Sequence, residues 1–141
     1  MDTLASGSER SPVKAICLPP TAHTPEISFD PLRQRVDIRG HCQTQRIELL
    51  FEPLMLSLRH NFAERQPLLF TLHLALDDVD KAGLRALRDL CCLVDAEGRA
   101  GRWIEVIWSA EPDDSAHIDL GTALLDGLHH VQYSIQDARL S

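Results

Sequence analysis

Long apolar runs are missing from this 141-residue sequence: no segment approaches the ~20 residues that a membrane-spanning helix needs. The N-terminal residues lack the apolar centre of a secretion signal. A formal charge of −7 leaves no surplus of lysine and arginine to contact phosphate backbones, which argues against nucleic-acid binding. These absences predict a cytoplasmic protein that binds neither membranes nor nucleic acids.

Metal-binding motifs are missing as well. The four cysteines form no C-x-x-C pair of the kind that holds zinc. Cys91 and Cys92 are adjacent on a predicted helix and point about 100° apart, which is a poor geometry for a disulfide. His41 and the adjacent pair His129 and His130 have no third ligand at metal-site spacing. We therefore predict no metal site and no cofactor.

The composition is that of one ordinary globular domain. Hydrophobic residues make up 44% of the chain and charged residues 25%, and 141 residues are enough to bury a core. Residues 1–22 are rich in serine, proline, threonine and charge, which predicts a flexible N-terminal tail. Residues 23–138 are predicted to form a single α/β domain.

The most informative stretch is residues 69–94, where an apolar run meets a cluster of carboxylates and then a helical pattern. The apolar run predicts a strand that is buried on both faces, with Leu72 and Leu74 in the core. Asp78 or Asp80 is suited to cap the helix, because a short carboxylate accepts hydrogen bonds from the free N–H groups of the first turn. The carboxylates are Asp77, Asp78 and Asp80, and the apolar stripe of the helix is Leu84, Leu87, Cys91 and Val94.

Periodic patterns on both sides of this stretch complete a mixed α/β sheet. Residues 27–38 alternate as a β-hairpin, and residues 47–62 form an amphipathic helix that contains Pro53. Residues 95–101 are predicted to be a turn before a strand at residues 103–108, in which Trp103 and Trp108 belong to the core. A third helix with Leu120 and Leu124 precedes a final strand at residues 131–135. The predicted order is β-β-α-β-α-β-α-β.

Five consecutive residues at the start of the second helix, Asp80, Lys81, Ala82, Gly83 and Leu84, resemble a motif of the STAS fold. In anti-sigma-factor antagonists of that fold, a buried strand leads into Asp-Ser-Ser/Ala-Gly-Leu, and the first serine is phosphorylated. The resemblance implies a STAS-like α/β domain.

A second resemblance spans nearly the whole chain, from about Pro20 to Ile135, and is carried by short segments in a fixed order. They are residues 24–30, 38–40, 51–54, 108, 111–114 and 119–121. In order and spacing they resemble the SiaC family of bacterial biofilm regulators. The resemblance implies a STAS-like regulator without catalysis of its own, switched by a Ser/Thr kinase and a PP2C-type phosphatase. In the unphosphorylated form such a protein binds a target such as a diguanylate cyclase, which places it in cyclic di-GMP signalling.

Two segments depart from the family pattern. The usual acceptor hydroxyl falls on Lys81, which no Ser/Thr kinase modifies, so phosphorylation control is expected to be altered or lost. The segment before the first helix is also changed, although Thr44 within it offers another hydroxyl. We predict that partners bind at these two segments. The first consists of Asp77, Asp78, Asp80, Lys81, Ala82 and Gly83, and the second of Gln43, Thr44, Gln45 and Arg46.

Two other interpretations of the polar residues remain open. The carboxylates around Asp80 are equally consistent with a capping cluster that only stabilises the helix by roughly 0.3–1 kcal/mol per charge. Alternatively, Asp77, Asp78, His41 and Glu111 are the polar groups of a small-molecule or metal-assisted enzyme. A concave site that holds several of these side chains would favour the enzyme.

Overall fold

A computed structural model describes residues 13–43, 47–64 and 69–140. Its six strands form one sheet in which neighbours along the chain are neighbours in the sheet. Three α-helices connect the last four strands, and none of the helices in the described ranges has both the length and the apolar character needed to cross a bilayer. The elements are β1 Ile16–Leu18, β2 Glu26–Asp30, β3 Arg35–Cys42, α1 Ile47–Glu64, β4 Phe70–Val79, α2 Lys81–Arg99, β5 Ile104–Ala110, α3 Ser115–Leu125, β6 Gln132–Asp137 and a 3₁₀ turn Ala138–Leu140.

The topology places all three helices on one face of the sheet. Strands β1, β2 and β3 are antiparallel, whereas β3, β4, β5 and β6 run parallel. Each parallel connection steps to the next strand in the same direction, and right-handed crossovers then put α1, α2 and α3 on the same side. The core lies between this helical layer and the sheet. The predicted mixed α/β domain is confirmed, with one additional strand at its N-terminal side.

Strand β4 lies inside the sheet, between β3 and β5, as predicted. Leu72 and Leu74 face the helices and are fully buried. On the opposite face His73 is also buried, while Thr71 and Ala75 are half-buried. The strand continues to Val79, so Asp77 and Asp78 belong to β4 and Asp80 alone of the three carboxylates lies between the strand and α2. Backbone pairing of β4 with the end of β3 keeps this segment extended.

Helix α2 begins after Asp80, as predicted, but it ends later than predicted. The expected turn at residues 95–101 is helical up to Arg99. At Gly98, α2 packs closely against the chain before β6. Glycine is needed there because a Cβ would lie 2.1 Å from the carbonyl oxygen of His130. The turn itself forms at Gly101, whose φ of +106° is accessible mainly to glycine.

Two further segments differ from the sequence-based prediction. Residues 16–18 were assigned to the flexible tail, but they form β1, which pairs with β2. Three residues beside Pro19 and Pro20 are too few for a periodic pattern. Trp103 is 72% exposed and precedes β5, whereas Trp108 is fully buried as predicted. Trp103 lies outside the core because its position faces the side of the sheet that carries no helix.

Trp108 explains the glycine in α3. The indole Nε1–H donates a hydrogen bond to the carbonyl of His117. The indole ring also packs on the imidazole ring of His117, with ring centroids 4.8 Å apart. Gly121 packs directly on this indole, since a Cβ at that position would come within 2.3 Å of it. The glycine that weakens the helical pattern therefore allows close packing of α3 on β5.

Candidate functional site

Those predicted binding residues that the structure describes lie at one edge of the sheet. Strands β3, β4 and β5 are parallel, so their carboxyl ends meet at the same edge. The chain leaves this edge to enter α1, α2 and α3 in turn. We call the segment Asp77–Gly83, with its carboxylates and Lys81, the α2 head.

Asp80 holds the α2 head in place through its backbone and its side chain. Its extended backbone (φ −90°, ψ −176°) lets a carboxylate oxygen accept a hydrogen bond from Gly83 N–H at 2.8 Å. Its own N–H donates to the carbonyl of Cys42 at 3.1 Å, which ties the helix start to the end of β3. Asp80 is thus the N-cap, out of the two carboxylates, Asp78 and Asp80, that the sequence offers for this role.

Gly83 is fixed by packing. A Cβ at this position would lie 2.3 Å from the carbonyl oxygen of Cys42 and 2.9 Å from its sulfur atom. Cys42 is fully buried, and burial raises the pKa of its thiol to about 12, so it packs there as a neutral group. The glycine of the STAS-like motif therefore allows the first turn of α2 to approach β3, and Gly83 itself is buried.

A bulge in β4, in which Asp77 is the extra residue, pairs His41 with Asp78. Gly40 has a φ of +104°, and the register of β3 against β4 shifts between Gly40 and His41. As a result His41 lies opposite Asp78, and its Nδ1 is 2.8 Å from a carboxylate oxygen of Asp78. Both side chains remain largely accessible, at 40% and 52%. The pair orients polar groups at the surface beside the α2 head.

The remaining predicted residues differ in their exposure. Asp77 and Lys81 are exposed, and Ala82 is half-buried. Gln43 is exposed, and its N–H donates to the carbonyl of His23 at 2.9 Å, which places the loop before β2 beside the same edge. The other three residues of the second predicted segment, Thr44, Gln45 and Arg46, lie outside the described residues.

The start of α3 adds negative charge to this edge. Glu111, Asp113 and Asp114 follow β5 and are exposed. Asp114 caps α3, because its carboxylate accepts a hydrogen bond from His117 N–H at 3.1 Å. Together with the carboxylates of the α2 head, these residues make the carboxyl edge of the sheet acidic around Lys81.

A second polar group lies on the face of the sheet without helices, and sequence reasoning missed it. His73 on β4 has its Nδ1 3.1 Å from Asp37 on β3 and its Nε2 2.8 Å from the hydroxyl of Ser109 on β5. Because an ionised carboxylate only accepts, Nδ1–H donates to Asp37 and Nε2 accepts the Ser109 O–H. Arg35 and Arg39 also contact Asp37, at 2.9 Å and 3.4 Å.

Burial and pairing set the charges in this Asp37–His73–Ser109 array. Burial lowers the pKa of His73 and keeps the imidazole neutral, although the hydrogen bond to Asp37 opposes this shift. Burial alone would raise the pKa of Asp37, but hydrogen bonds from Arg35 and His73 outweigh it and hold the pKa below its usual range. The array therefore combines one carboxylate with a neutral imidazole.

The array has the same Asp–His–Ser sequence of hydrogen bonds as the catalytic triad of a serine hydrolase, but its serine is not accessible. Ser109 is only 2% exposed, and its hydroxyl is hydrogen-bonded to Nε2 of His73. A nucleophile must reach its substrate, whereas this hydroxyl is closed off. We assign the array the role of linking β3, β4 and β5 across the open face.

The sequence carries only a faint signal of this array. Alternation along β3 and β4 places Asp37 and His73 at positions that point away from the helices. The contact of His73 with Asp37 and Ser109 depends on the parallel register of the strands. Asp37 pairs with His73, and His73 pairs with Ile107, two residues before Ser109. No pattern within either segment reveals that register.

Among the cavities that described residues line, two lie away from this edge. One of about 230 Å³ is lined by residues at the amino ends of β4, β5 and β6, including the exposed Trp103. The other, of about 580 Å³, lies between α1 and α2 and is lined by Arg59 and Asp89 among others. Neither is lined by the His41 and Asp78 pair or by Lys81. Within the described residues, no cluster of three metal-binding side chains occurs.

Comparisons with known proteins agree with this architecture. The family model described as SiaC family regulatory phosphoprotein matches residues 18–138. The sequence matches none of the curated proteins. Among solved structures, apo-SiaC from Pseudomonas aeruginosa aligns with a TM-score of 0.81 at 20% identity, covering 87% of this chain and 98% of that one. A structure of the diguanylate cyclase SiaD in complex with its activator SiaC, from the same organism, aligns with the same score and identity over 86% of this chain and 98% of that one.

Proposed function

Because the chain belongs to the SiaC family of regulatory phosphoproteins, we propose that it acts by binding a signalling enzyme and catalyses no reaction itself. The exposed side chains of the α2 head support this proposal, since they stand on a rigid frame. The frame is the capped start of α2, tied to β3 through Asp80 and Gly83. A surface of fixed shape with accessible charges suits protein recognition.

The proposed binding surface consists of the accessible groups on this frame. Asp77, Asp78 and Lys81 are exposed on the α2 head, and Gln43 is exposed at the end of β3. We propose a diguanylate cyclase as the partner, because a SiaC protein of the same fold is the activator in a complex with such a cyclase. The acidic edge around Lys81 favours a partner surface with basic groups and a carboxylate that pairs with the lysine.

Control by phosphorylation at the α2 head is proposed to be lost. Residues 77–83 contain no serine, threonine or tyrosine, and Lys81 is the first residue of α2. A lysine contributes one positive charge, whereas a phosphate carries nearly two negative charges and three acceptor oxygens. The α2 head is therefore expected to resemble the unphosphorylated state permanently. We keep a Ser/Thr kinase and a PP2C-type phosphatase as proposed partners, and they would act at a hydroxyl outside residues 77–83.

The enzyme alternative has less support. His41 and Asp78 do form a close pair, but both side chains are accessible, at 40% and 52%, and neither lines the cavity at Trp103 or the cavity between α1 and α2. Catalytic carboxylates and imidazoles usually lie in a cleft that excludes water.

We also propose that the protein acts in the cytoplasm. Its four cysteines are free, which fits that reducing compartment.

The proposal is tested by measuring binding of the full chain to a purified SiaD-type diguanylate cyclase by calorimetry. Lys81→Glu reverses the charge at the α2 head and should weaken binding by at least about tenfold, which equals 1.4 kcal/mol. Arg33→Glu is the matched control, because Arg33 is exposed in the turn between β2 and β3, away from the carboxyl edge. Equal and negligible losses from the two variants would mean that the α2 head is only a capped helix end.

A further inference from the structure

Strand β6 leaves one side of the sheet open. It is the last strand in the sheet order, and no other described strand pairs with its outer side. Natural proteins usually protect such an edge with lysine, proline, a bulge or a covering element. The sequence of β6, QYSIQD, contains no lysine, proline or glycine. Its only charged residue, Asp137, is already paired with Arg139.

Two large apolar side chains project from this unprotected edge strand. Tyr133 is 43% exposed and Ile135 is 37% exposed. They lie on the face that carries the helices, because they pair with Val106 and Trp108 of β5. Gln132, Ser134 and Gln136 alternate with them on the opposite face. The edge thus offers backbone groups that no described strand covers, together with one apolar face and one uncharged polar face.

From this pattern we propose that β6 pairs antiparallel with β6 of a second copy of the chain, around a two-fold axis at Ser134. In this register each Tyr133 lies opposite Ile135 of the other copy, and each Gln132 lies opposite Gln136. Aromatic residues pair favourably with β-branched residues across antiparallel strands. Glutamine amides opposite one another both donate and accept hydrogen bonds.

The absence of like charges across the axis identifies a second copy as the occupant. Ser134 faces itself, and Asp137 lies opposite Val131, so no two carboxylates oppose each other. A two-fold interface requires that one surface complement itself, and the Tyr133–Ile135 and Gln132–Gln136 pairs of this strand meet that condition. The resulting sheet would run continuously through both copies, with both helical layers on the same side.

The test measures the mass of the full chain in solution by light scattering and sedimentation over a wide range of concentration. The wild-type chain should reach twice its mass of 15.8 kDa. Ser134→Lys and Ser134→Glu place like charges opposite each other and should each raise the dimer dissociation constant at least about tenfold. An equimolar mixture of the two variants should dimerise again, which also shows that both are folded.

Ala63→Lys is the control, because Ala63 is exposed on α1, away from β6. This variant should dimerise like the wild-type chain. If the wild-type chain keeps the mass of one copy at all concentrations, the proposal is overturned. The occupant of the β6 edge would then be a strand of another protein. A dimer that persists in Ser134→Lys, or a variant mixture that stays monomeric, would overturn it as well.

Discussion

Gly83 shows at the residue scale how the frame of the proposed binding surface depends on one missing methyl group. Gly83→Ala places a Cβ against the backbone of Cys42, which cannot move without disturbing β3. We expect a loss of about 1–3 kcal/mol in the free energy of unfolding, as for other overpacked sites. Urea unfolding of the variant measures this loss.

Gly127→Ala is the matched control for Gly83→Ala. A Cβ on Gly127 meets no atom within 4 Å, so this substitution should change the free energy of unfolding by less than about 0.5 kcal/mol. Equal small effects at both positions would contradict the close approach of α2 to β3.

His73 makes the stability of the fold depend on pH. Burial lowers its pKa below the ordinary value of 6.5, so the unfolded chain binds a proton at mildly acidic pH while the folded chain does not. The free energy of unfolding should therefore decrease as pH falls below 6.5. The lowered pKa of Asp37 adds a second decrease below its ordinary value of 3.8. Thermal unfolding at a series of pH values measures both steps.

His73→Gln tests which group causes the first of these two decreases. Glutamine does not titrate, so the decrease just below pH 6.5 should become smaller in this variant. His129→Gln is the control, because the His129 side chain is exposed while its backbone N–H holds the contact to Asp95. If His73→Gln and wild type lose stability in parallel between pH 6.5 and 5, the buried imidazole is not the source.

At the scale of the element, β4 carries the core. Leu72 and Leu74 are fully buried between the sheet and the helices. Replacing either by alanine should cost about 2–5 kcal/mol of unfolding free energy, because a cavity remains where the side chain was. Leu56→Ala on α1 should cost less than about 0.5 kcal/mol, since Leu56 is 60% exposed. Chemical denaturation compares the three variants, and a surface-like value at Leu72 would contradict its place in the core.

The elements that the sequence predicts are those with long periodic patterns. Helices α1 and α2 and strand β4 bury one continuous stripe each, and that stripe is visible as spacing in the sequence. The end of α2 was missed because Gly98 looks like a turn signal, whereas it is held in the helix by packing against the chain at His130. Strand β1 was missed because its order depends on pairing with β2 and not on its own three residues.

At the scale of the whole molecule, the carboxyl edge of the sheet was predictable and the open face was not. The α2 head follows from one local pattern, in which a buried strand runs into a carboxylate cap. The Asp37–His73–Ser109 array joins three strands that are far apart in sequence, and it forms only through their parallel register. Local patterns predict groups that are contiguous in the chain, whereas groups assembled across strands require the structure.

The balance of charge over the molecule gives a last prediction about phosphorylation. The chain has a net charge of −7, and the carboxyl edge around Lys81 is acidic. Lys81→Ser rebuilds the acceptor order Asp-Ser-Ala-Gly, with the new hydroxyl at a helix N-terminus that favours an anion. Asp77 and Asp78 would oppose the added charge. With a family-type Ser/Thr kinase and ATP, Lys81→Ser should therefore accept less phosphate than the same variant carrying Asp77→Asn and Asp78→Asn.

Mass spectrometry after proteolysis locates the phosphate in each chain. The wild-type chain should carry none within residues 77–83, because that segment has no hydroxyl group. The phosphorylated triple variant should bind the cyclase more weakly than its unphosphorylated form, since the phosphate adds nearly two negative charges at position 81. Phosphate on another exposed hydroxyl of the same edge in the wild-type chain, such as Ser115, together with weaker cyclase binding, would show that phosphorylation control is altered and not lost. The hydroxyl at the start of α3 would then have taken over the role of the missing acceptor on α2.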